Sequence, residues 1–176
     1  GIAKFILKEL SELPNITPNG IVLPKRETML AYHEVQKIVA EIMKESGVLD
    51  HCKLIHLPVN IRLLRGKKNE KIDTRPKSST KAHTDIWAGE YPNSMMVFLP
   101  VMGDIENVNV EFFEPPAELY PDYIRAIHDY NEGKFLLDKA VKYDCKLQKG
   151  FMYVIDSFLL HRTIKNSDNV RLSIDF

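Results

Sequence analysis

The sequence predicts a mainly β domain preceded by helices, and two features of its residue pattern support this fold class. Apolar residues recur at helical spacing in the first quarter of the chain. The remainder contains short runs of β-branched and aromatic residues separated by Pro, Gly, Asn and Asp. The number and length of these runs favour a double-stranded β-helix, a cupin-like jelly roll whose interior can hold a small ligand.

The clearest helical signal precedes Gly47, which is itself a stop signal. Ala31, Val35, Ile38 and Ile42 recur there at helical spacing and predict the buried face of a helix. Strands are predicted in the later runs KLIHLPVNIRLL, SMMVFLPV, VNVEFF, FMYVID and VRLSIDF.

The chain of 176 residues fits one domain, because 44% of its residues are hydrophobic and can fill a single core. Residues 1–50 are predicted to form an N-terminal helical segment, and residues 54–176 are predicted to form the β core. Two segments do not fit strands: the charged stretch 65–80, and an insert at about 114–150 with a Pro cluster and one predicted helix. Both are expected to be loops or lids that build the pocket.

Composition argues against nucleic-acid and membrane partners. Lys plus Arg and Asp plus Glu each number 24, so the formal net charge is zero. No apolar run reaches the ~18 residues of a membrane span, and GIAKFILKEL is too short and too interrupted by lysine for a signal peptide. Cys52 and Cys145 form no C-x-x-C motif, which favours reduced thiols in the cytoplasm. Whether the chain ends are native stays open.

The segment KAHTDIWAGE contains two candidate metal ligands. His83 and Asp85 are separated by one residue, so on a strand both side chains would point from the same face. Two imidazoles and one carboxylate on a common face hold iron(II) in non-haem oxygenases and leave coordination positions free. The H-x-D pair would supply two of these three ligands.

The third ligand is predicted to be His161, which follows an apolar run and should lie on a later strand. Ten positions further, Arg171, Ser173 and Asp175 alternate with apolar residues in VRLSIDF. The polar set would face the barrel interior, and the apolar set would pack outside. A buried Arg binds a carboxylate through two charge-assisted hydrogen bonds, and Ser173 can add a hydroxyl donor. The R-x-S pair therefore predicts a clamp for the distal end of an acid.

H-T-D at 83–85, the distant His161 and R-L-S at 171–173 together resemble the signature of the 2-oxoglutarate- and iron(II)-dependent dioxygenase superfamily. In that superfamily the H-x-D lies on the second core strand, the distal His on the seventh and the Arg on the eighth. The resemblance covers about residues 54–176. HTDIWAGEYPNSMMVFLPV and LQKGFMYVIDSFLLHRT are similar to the bacterial branch near phytanoyl-CoA hydroxylases and to oxygenases of carbohydrate and antibiotic gene clusters.

The resemblance implies that the two histidines and Asp85 bind Fe(II), and that 2-oxoglutarate chelates this metal while Arg171 and Ser173 hold its distal carboxylate. Dioxygen is the other cosubstrate, ascorbate is expected as an optional reductant, and succinate and CO2 are released. Because Asp85 is present, hydroxylation is favoured over halogenation, whereas desaturation, epimerisation and ring closure stay open. The expected substrate is a small polar metabolite or an activated sugar, with an acyl-CoA or a peptide side chain next.

Four further residues are candidates for the pocket. Trp87 would share the strand face of the H-x-D pair and wall the substrate pocket, although core packing is equally expected. Arg62, on the preceding strand, would approach the near carboxylate of 2-oxoglutarate or an anionic substrate, unless it is a surface cation. Arg75 and Ser94 complete the set.

Two other functions are compatible with the same ligands. One is a cupin-like metal- or sugar-binding module without turnover, and the other is a zinc hydrolase that activates a water. Neither requires Arg171 together with Ser173. The oligomeric state cannot be read from the sequence.

Overall fold

The computed structural model describes residues 2–67, 73–114, 116 and 123–176. Its helices are α1 (Ile2–Ser11), α2 (Met29–Glu45), α3 (Asp85–Ala88) and α4 (Lys134–Leu137). Its strands are β1 (Asn60–Arg65), β2 (Met95–Gly103), β3 (Val108–Glu114), β4 (Val141–Lys142), β5 (Tyr153–Asp156), β6 (Leu160–Lys165) and β7 (Val170–Asp175). Parts of the predicted loops 65–80 and 114–150 lie outside the described residues.

The strands form two antiparallel sheets. One sheet has the order β1-β7-β2-β5, and the other has the order β4-β3-β6. Side chains from both sheets line one cavity, so the sheets face each other across it. The predicted fold class, mainly β with helices, is confirmed at this level, and the arrangement is compatible with a β-sandwich.

The predicted strands form with small differences in their bounds. The runs that begin near Met95, Val108, Tyr153 and Val170 become β2, β3, β5 and β7. The first run is shorter than predicted, because residues 53–58 are irregular and β1 begins only at Asn60. Proline at the end of this irregular part lacks the N–H that a strand ladder uses, which explains the late start. Strand β4 was not predicted.

Helix α2 forms as predicted, but its buried face is rotated from the expected one. Tyr32, Val39 and Met43 are buried, whereas Ile38 is 53% exposed. Tyr32 can take an inner position because its hydroxyl donates to the carbonyl oxygen of Val22 at 3.1 Å, which satisfies the polar end of a buried ring. Among the described residues, no helix combines the length and apolar character that spanning a bilayer requires.

The alternation predicted for β7 is confirmed. Arg171, Ser173 and Asp175 are buried, whereas the residues between them are only partly buried. Ile174, on the opposite side of the strand, packs against the core cluster to which α2 contributes Val39. Arg171 and Asp175 therefore point toward the space between the sheets, whereas Ile174 packs on the side of the strand where α2 lies.

Strand β2 approaches β7 closely at Gly103, which pairs with Arg171. Gly103 has φ 98°, and a Cβ at this position would lie 2.1 Å from the carbonyl oxygen of Val170. Glycine is required here for both its conformational freedom and its lack of a side chain. The close approach holds β2 against the backbone that carries Arg171.

We expect Gly103→Ala to destabilise the fold more than Gly150→Ala. Both glycines have positive φ, 98° and 85°, so each alanine loses about 1–2 kcal/mol of stability from the left-handed backbone. A Cβ at Gly150 meets open space, whereas at Gly103 it meets backbone, which adds about 1–3 kcal/mol. Urea unfolding of the two variants measures the difference, and equal losses would contradict the close approach.

Candidate metal centre

Two histidines from distant parts of the chain are held side by side by the backbone. His83 and His161 form an isolated antiparallel bridge, in which each N–H donates to the carbonyl oxygen of the other at 2.9 Å. His161 lies in β6, which agrees with the prediction of a histidine on a later strand. The two ring centroids are 4.4 Å apart. The backbone bridge thus fixes the separation of two candidate ligands.

Asp85 reaches the same place from a helix and not from a strand. It is the first residue of α3, and its N–H donates to the carbonyl oxygen of Ser157 at 3.1 Å. The prediction that His83 and Asp85 share a strand face is therefore wrong, because the chain turns into α3 directly after the His83 bridge. The carboxylate of Asp85 is therefore placed beside the imidazoles by the start of a helix, and not by strand alternation.

The donor atoms of His83, Asp85 and His161 all lie within 4.8 Å of one another. Nε2 of His161 is 3.8 Å from Oδ1 of Asp85, which is too long for a hydrogen bond. In the part of the chain that the structure describes, Oδ2 of Asp85 is buried without a hydrogen-bond partner. This group could hold a metal ion, which would satisfy the carboxylate and both rings at once.

Each imidazole is oriented through its other nitrogen. Nδ1 of His83 lies 2.8 Å from the carbonyl oxygen of Lys81, and Nδ1 of His161 lies 3.0 Å from that of Leu159. A carbonyl can only accept, so both contacts assign the proton to Nδ1 and leave Nε2 with a free lone pair. Metal-bound histidines are held in the same way.

Burial favours the neutral forms of both His83 and Asp85. Burial lowers the pKa of the His83 imidazole well below its usual range, and the neighbouring His161 lowers it further. Burial also raises the pKa of the Asp85 carboxyl, against the opposing effect of His161. A neutral imidazole is the form that binds metal, and a divalent cation would compensate the carboxylate for its lost hydration.

The three donors open into a cavity between the sheets. Its other charged lining groups are Arg62, Arg171 and Asp175, which come from β1 and β7. The remaining lining residues are mostly apolar: Met96, Val97, Phe98, Val110, Phe112, Ile155, Ser79 and Thr163. A cavity with a few charged groups on largely apolar walls is typical of a small-molecule site.

Arg171 is fully buried, and its guanidinium has no hydrogen-bond partner among the described residues for any of its three nitrogens. It lies over the Phe98 ring, with Cζ 5.0 Å from the ring centroid. Burial lowers the pKa of Arg171 to about 10, with a partial offset from Asp175, so the group stays cationic at neutral pH. An unpaired buried cation is costly, and an anion bound in the cavity would remove this cost.

Arg62 and Ser173 both bind the carboxylate of Asp175. Arg62 lines the cavity, but its Nε pairs with the Asp175 carboxylate and its Nη1 donates to the carbonyl oxygen of Asn19 at 3.1 Å. The buried Ser173 donates to Oδ1 of Asp175 at 3.1 Å and is not part of the cavity lining. The structure therefore brings Arg62 and Arg171 to the cavity, while Ser173 holds the carboxylate of Asp175.

The other predicted pocket residues lie outside the cavity lining. Trp87 is 1% exposed in a core cluster, and its Nε1 donates to the carbonyl oxygen of Tyr123 at 2.9 Å. Ser94 donates to a carbonyl of its own turn at 2.6 Å. Arg75 forms an ion pair with Asp73. The core-packing interpretation of Trp87 thus describes its position better than pocket lining does.

Sequence reasoning missed Tyr130, which stacks on His83 with 4.4 Å between ring centroids and 3° between ring planes. Tyr130 lies in the insert, just after Asp129, whose side chain forms a capping box with Glu132. That D-x-x-E pattern predicts a helical turn. It contains no information about which distant ring the tyrosine will meet.

Comparisons with protein-family models, with curated proteins and with solved structures give no match to this chain.

We expect alanine at any of the three ligand positions, His83, Asp85 or His161, to weaken Fe(II) binding by about 100-fold or more, since each supplies one donor of a three-donor group. His33→Ala, on the exposed side of α2, is the matched control and should bind as wild type does. Anaerobic equilibrium dialysis measures the affinities. Retention of wild-type affinity in all three variants would show that the metal binds elsewhere.

Arg171→Met should make the ligand-free protein more stable, by about 1–3 kcal/mol, because it removes a buried charge that has no partner. Arg62→Met is the matched control and should have the opposite sign, since it leaves Asp175 without its ion pair. Urea unfolding in the absence of metal and organic acids measures both. A loss of stability in Arg171→Met would mean that the guanidinium already has a stabilising partner.

Proposed function

We propose that this protein is an iron(II)- and 2-oxoglutarate-dependent oxygenase that hydroxylates a small polar or sugar-like metabolite, with release of succinate and CO2. The observation that carries this proposal is the buried Arg171, whose guanidinium nitrogens lack hydrogen-bond partners among the described residues and which lines the same cavity as the His83, Asp85 and His161 group. A metal site alone needs no buried cation. A site for a metal together with an organic acid does.

Charge balance favours a dicarboxylic acid. The two arginines that line the cavity are balanced by the carboxylates of Asp85 and Asp175. A divalent metal would keep Asp85 ionised and leave the cavity with an excess of two positive charges. A dianion such as 2-oxoglutarate neutralises this excess, with one carboxylate at the metal and the other at Arg171.

The donor set fits iron(II). Two imidazoles and a carboxylate leave about three positions of an octahedral metal open, two for a chelating oxo-acid and one for dioxygen. Bound iron with 2-oxoglutarate and dioxygen supplies the oxidising chemistry. The protein's own contribution is to hold the metal through three side chains whose positions are set by backbone hydrogen bonds.

Arg171 would orient the cosubstrate. Its planar fork makes two parallel hydrogen bonds to a carboxylate, which sets both the position and the rotation of the bound acid. Phe98 packs its ring against the guanidinium at that end of the cavity. Arg62 remains paired with Asp175. Its proposed role is therefore to occupy that carboxylate, so that Asp175 does not pair with Arg171, and binding of the cosubstrate is left to Arg171.

We also propose that the two sheets are the halves of a double-stranded β-helix. The seven strands and the His83 bridge, taken as an extended segment between β1 and β2, make eight segments from β1 onward among the described residues; the bridges at Ile16, Ile21 and Val22 precede β1. Their pairings then join the first with the eighth, the second with the seventh, the third with the sixth and the fourth with the fifth. One long antiparallel ribbon gives this pattern, and β2–β7 and β3–β6 pairing rolls the ribbon up.

A zinc hydrolase and a metal-binding module without turnover remain compatible with the three ligands. Both leave the unpaired Arg171 without a purpose, because a hydrolytic zinc site needs an activated water and no chelating acid. Zinc in the purified protein would not discriminate, since zinc binds nitrogen-rich sites more tightly than iron(II) does.

The proposal predicts that anaerobic protein with Fe(II) and 2-oxoglutarate develops the metal-to-ligand charge-transfer band of the chelate, and that air then converts 2-oxoglutarate to succinate. Arg171→Ala should weaken cosubstrate binding by at least about 100-fold, because it removes two charge-assisted hydrogen bonds. Absorption titration measures the affinity, and chromatography measures succinate.

Arg75→Ala is the control for the loss of an arginine, since Arg75 pairs with Asp73 away from the cavity. It should titrate as wild type does. If wild-type protein binds Fe(II) but shows no spectral response to 2-oxoglutarate, the oxygenase proposal fails and the module without turnover takes its place.

A further inference from the structure

His83 is the only one of the three candidate ligands whose ring is covered by a parallel aromatic ring among the described residues. Tyr130, 4% exposed, lies 4.4 Å from it between centroids and only 3° from its plane. The ring of His161 is also 4.4 Å away, but it is tilted by 52°. The His83 imidazole is thus in contact with a flat, buried surface on one side.

The hydrogen bond from His83 fixes only part of the ring's orientation. Nδ1 is held at 2.8 Å by the carbonyl oxygen of Lys81, yet the ring can still rock about that single contact. A parallel neighbour at stacking distance opposes this motion, because any tilt of the imidazole brings its edge into the tyrosine ring. Nε2 lies on the far side of the ring from Cβ, so a tilt of the ring displaces it.

Tyr130 is itself held by the loop that carries His83. Its N–H donates to the carbonyl oxygen of Pro76 at 3.1 Å. The preceding residue, Asp129, forms an ion pair with Lys81 at 3.0 Å. The carbonyl of Lys81 is the acceptor for His83, so the stack and the hydrogen bond are anchored to the same stretch of chain.

The insert is also bound to α3. The N–H of Ile127 donates to the carbonyl oxygen of Trp87 at 3.2 Å, and Trp87 Nε1 donates to the carbonyl of Tyr123 at 2.9 Å. A Cβ on Gly133 would lie 2.1 Å from the Trp87 ring, so the segment packs without spare room. The position of Tyr130 is therefore set by contacts on both sides of the H-x-D pair.

We propose that Tyr130 is a positioning residue that fixes the plane of the His83 imidazole and directs Nε2 at the metal. The inference rests on the metal centre of the proposed function and extends it to the insert. Metal sites need their ligands within about 0.5 Å and 10–20° of the bound geometry, and loss of a group that orients a metal-bound histidine typically weakens affinity 10–100-fold. The ring carries this role, and the hydroxyl does not.

The test compares Co(II) affinity in Tyr130→Leu, which removes the flat ring, with Tyr130→Phe, which keeps it. Tyr123→Leu is the matched control, because Tyr123 belongs to the same aromatic cluster, with its ring 6.2 Å from that of Trp87. Thermal unfolding of each metal-free variant verifies the fold. Tyr130→Met, with a side chain that adapts to the vacated space, replaces Tyr130→Leu if the latter does not fold.

The expected result is about tenfold weaker Co(II) binding in Tyr130→Leu, with wild-type affinity in Tyr130→Phe and Tyr123→Leu. Long-range 1H–15N spectra of the metal-free protein should keep the Nδ1–H tautomer of His83 in every variant, because the Lys81 carbonyl that assigns it is unchanged. Wild-type affinity in a folded Tyr130→Leu would overturn the inference. Equal losses in Tyr130→Leu and either Tyr130→Phe or Tyr123→Leu would do so too.

The outcomes separate this inference from the oxygenase proposal. If the wild type binds Co(II) and the variants behave as expected, but 2-oxoglutarate never perturbs the metal, the positioning role stands and the oxygenase proposal fails. If the wild type binds no divalent metal, both fail.

Discussion

The central physical feature of this structure is the positive charge of Arg171, buried in the interior of a β domain. Arg171 has no hydrogen-bond partner among the described residues, because the one carboxylate beside it on β7 is already taken. Asp175 accepts from both Arg62 and Ser173. The sequence R-x-S-x-D, with Arg62 on the neighbouring strand, thus leaves one guanidinium free for a ligand while it satisfies the other three groups.

The guanidinium of Arg171 lies on one sheet and the candidate ligand His161 lies on the other, and the cavity lies where those sheets face each other. His161 lies on β6, where its bridge to His83 fixes the ligand pair, whereas Arg171 lies on β7, where Gly103 permits the close approach of β2. Binding of a metal and an acid would join the two sheets through one chelate. Such ligands stabilise the native state by mass action, so stability and occupancy should be linked.

The functional side chains could be predicted from the sequence more completely than the secondary structure that carries them. Period-two alternation in VRLSIDF places Arg171 inside, and this holds because both neighbouring strands pair with β7 along its length. The same rule fails at His83 and Asp85, where a single bridge and then a helix replace a strand, although the two side chains still meet. Local pattern cannot show Tyr130 on His83, because that contact depends on how a long insert folds back.

The insert therefore belongs to the candidate site as much as the strands do, since Tyr130 covers the His83 ring and Ile127 is hydrogen-bonded to the helix that carries Asp85. A crystal structure of the protein grown anaerobically with Mn(II), which replaces iron, and 2-oxoglutarate would test this arrangement. The metal should lie on Nε2 of both histidines and on Asp85, and a carboxylate of the acid should pair in bidentate fashion with Arg171. Density for the acid away from Arg171, or a metal bound elsewhere, would contradict it.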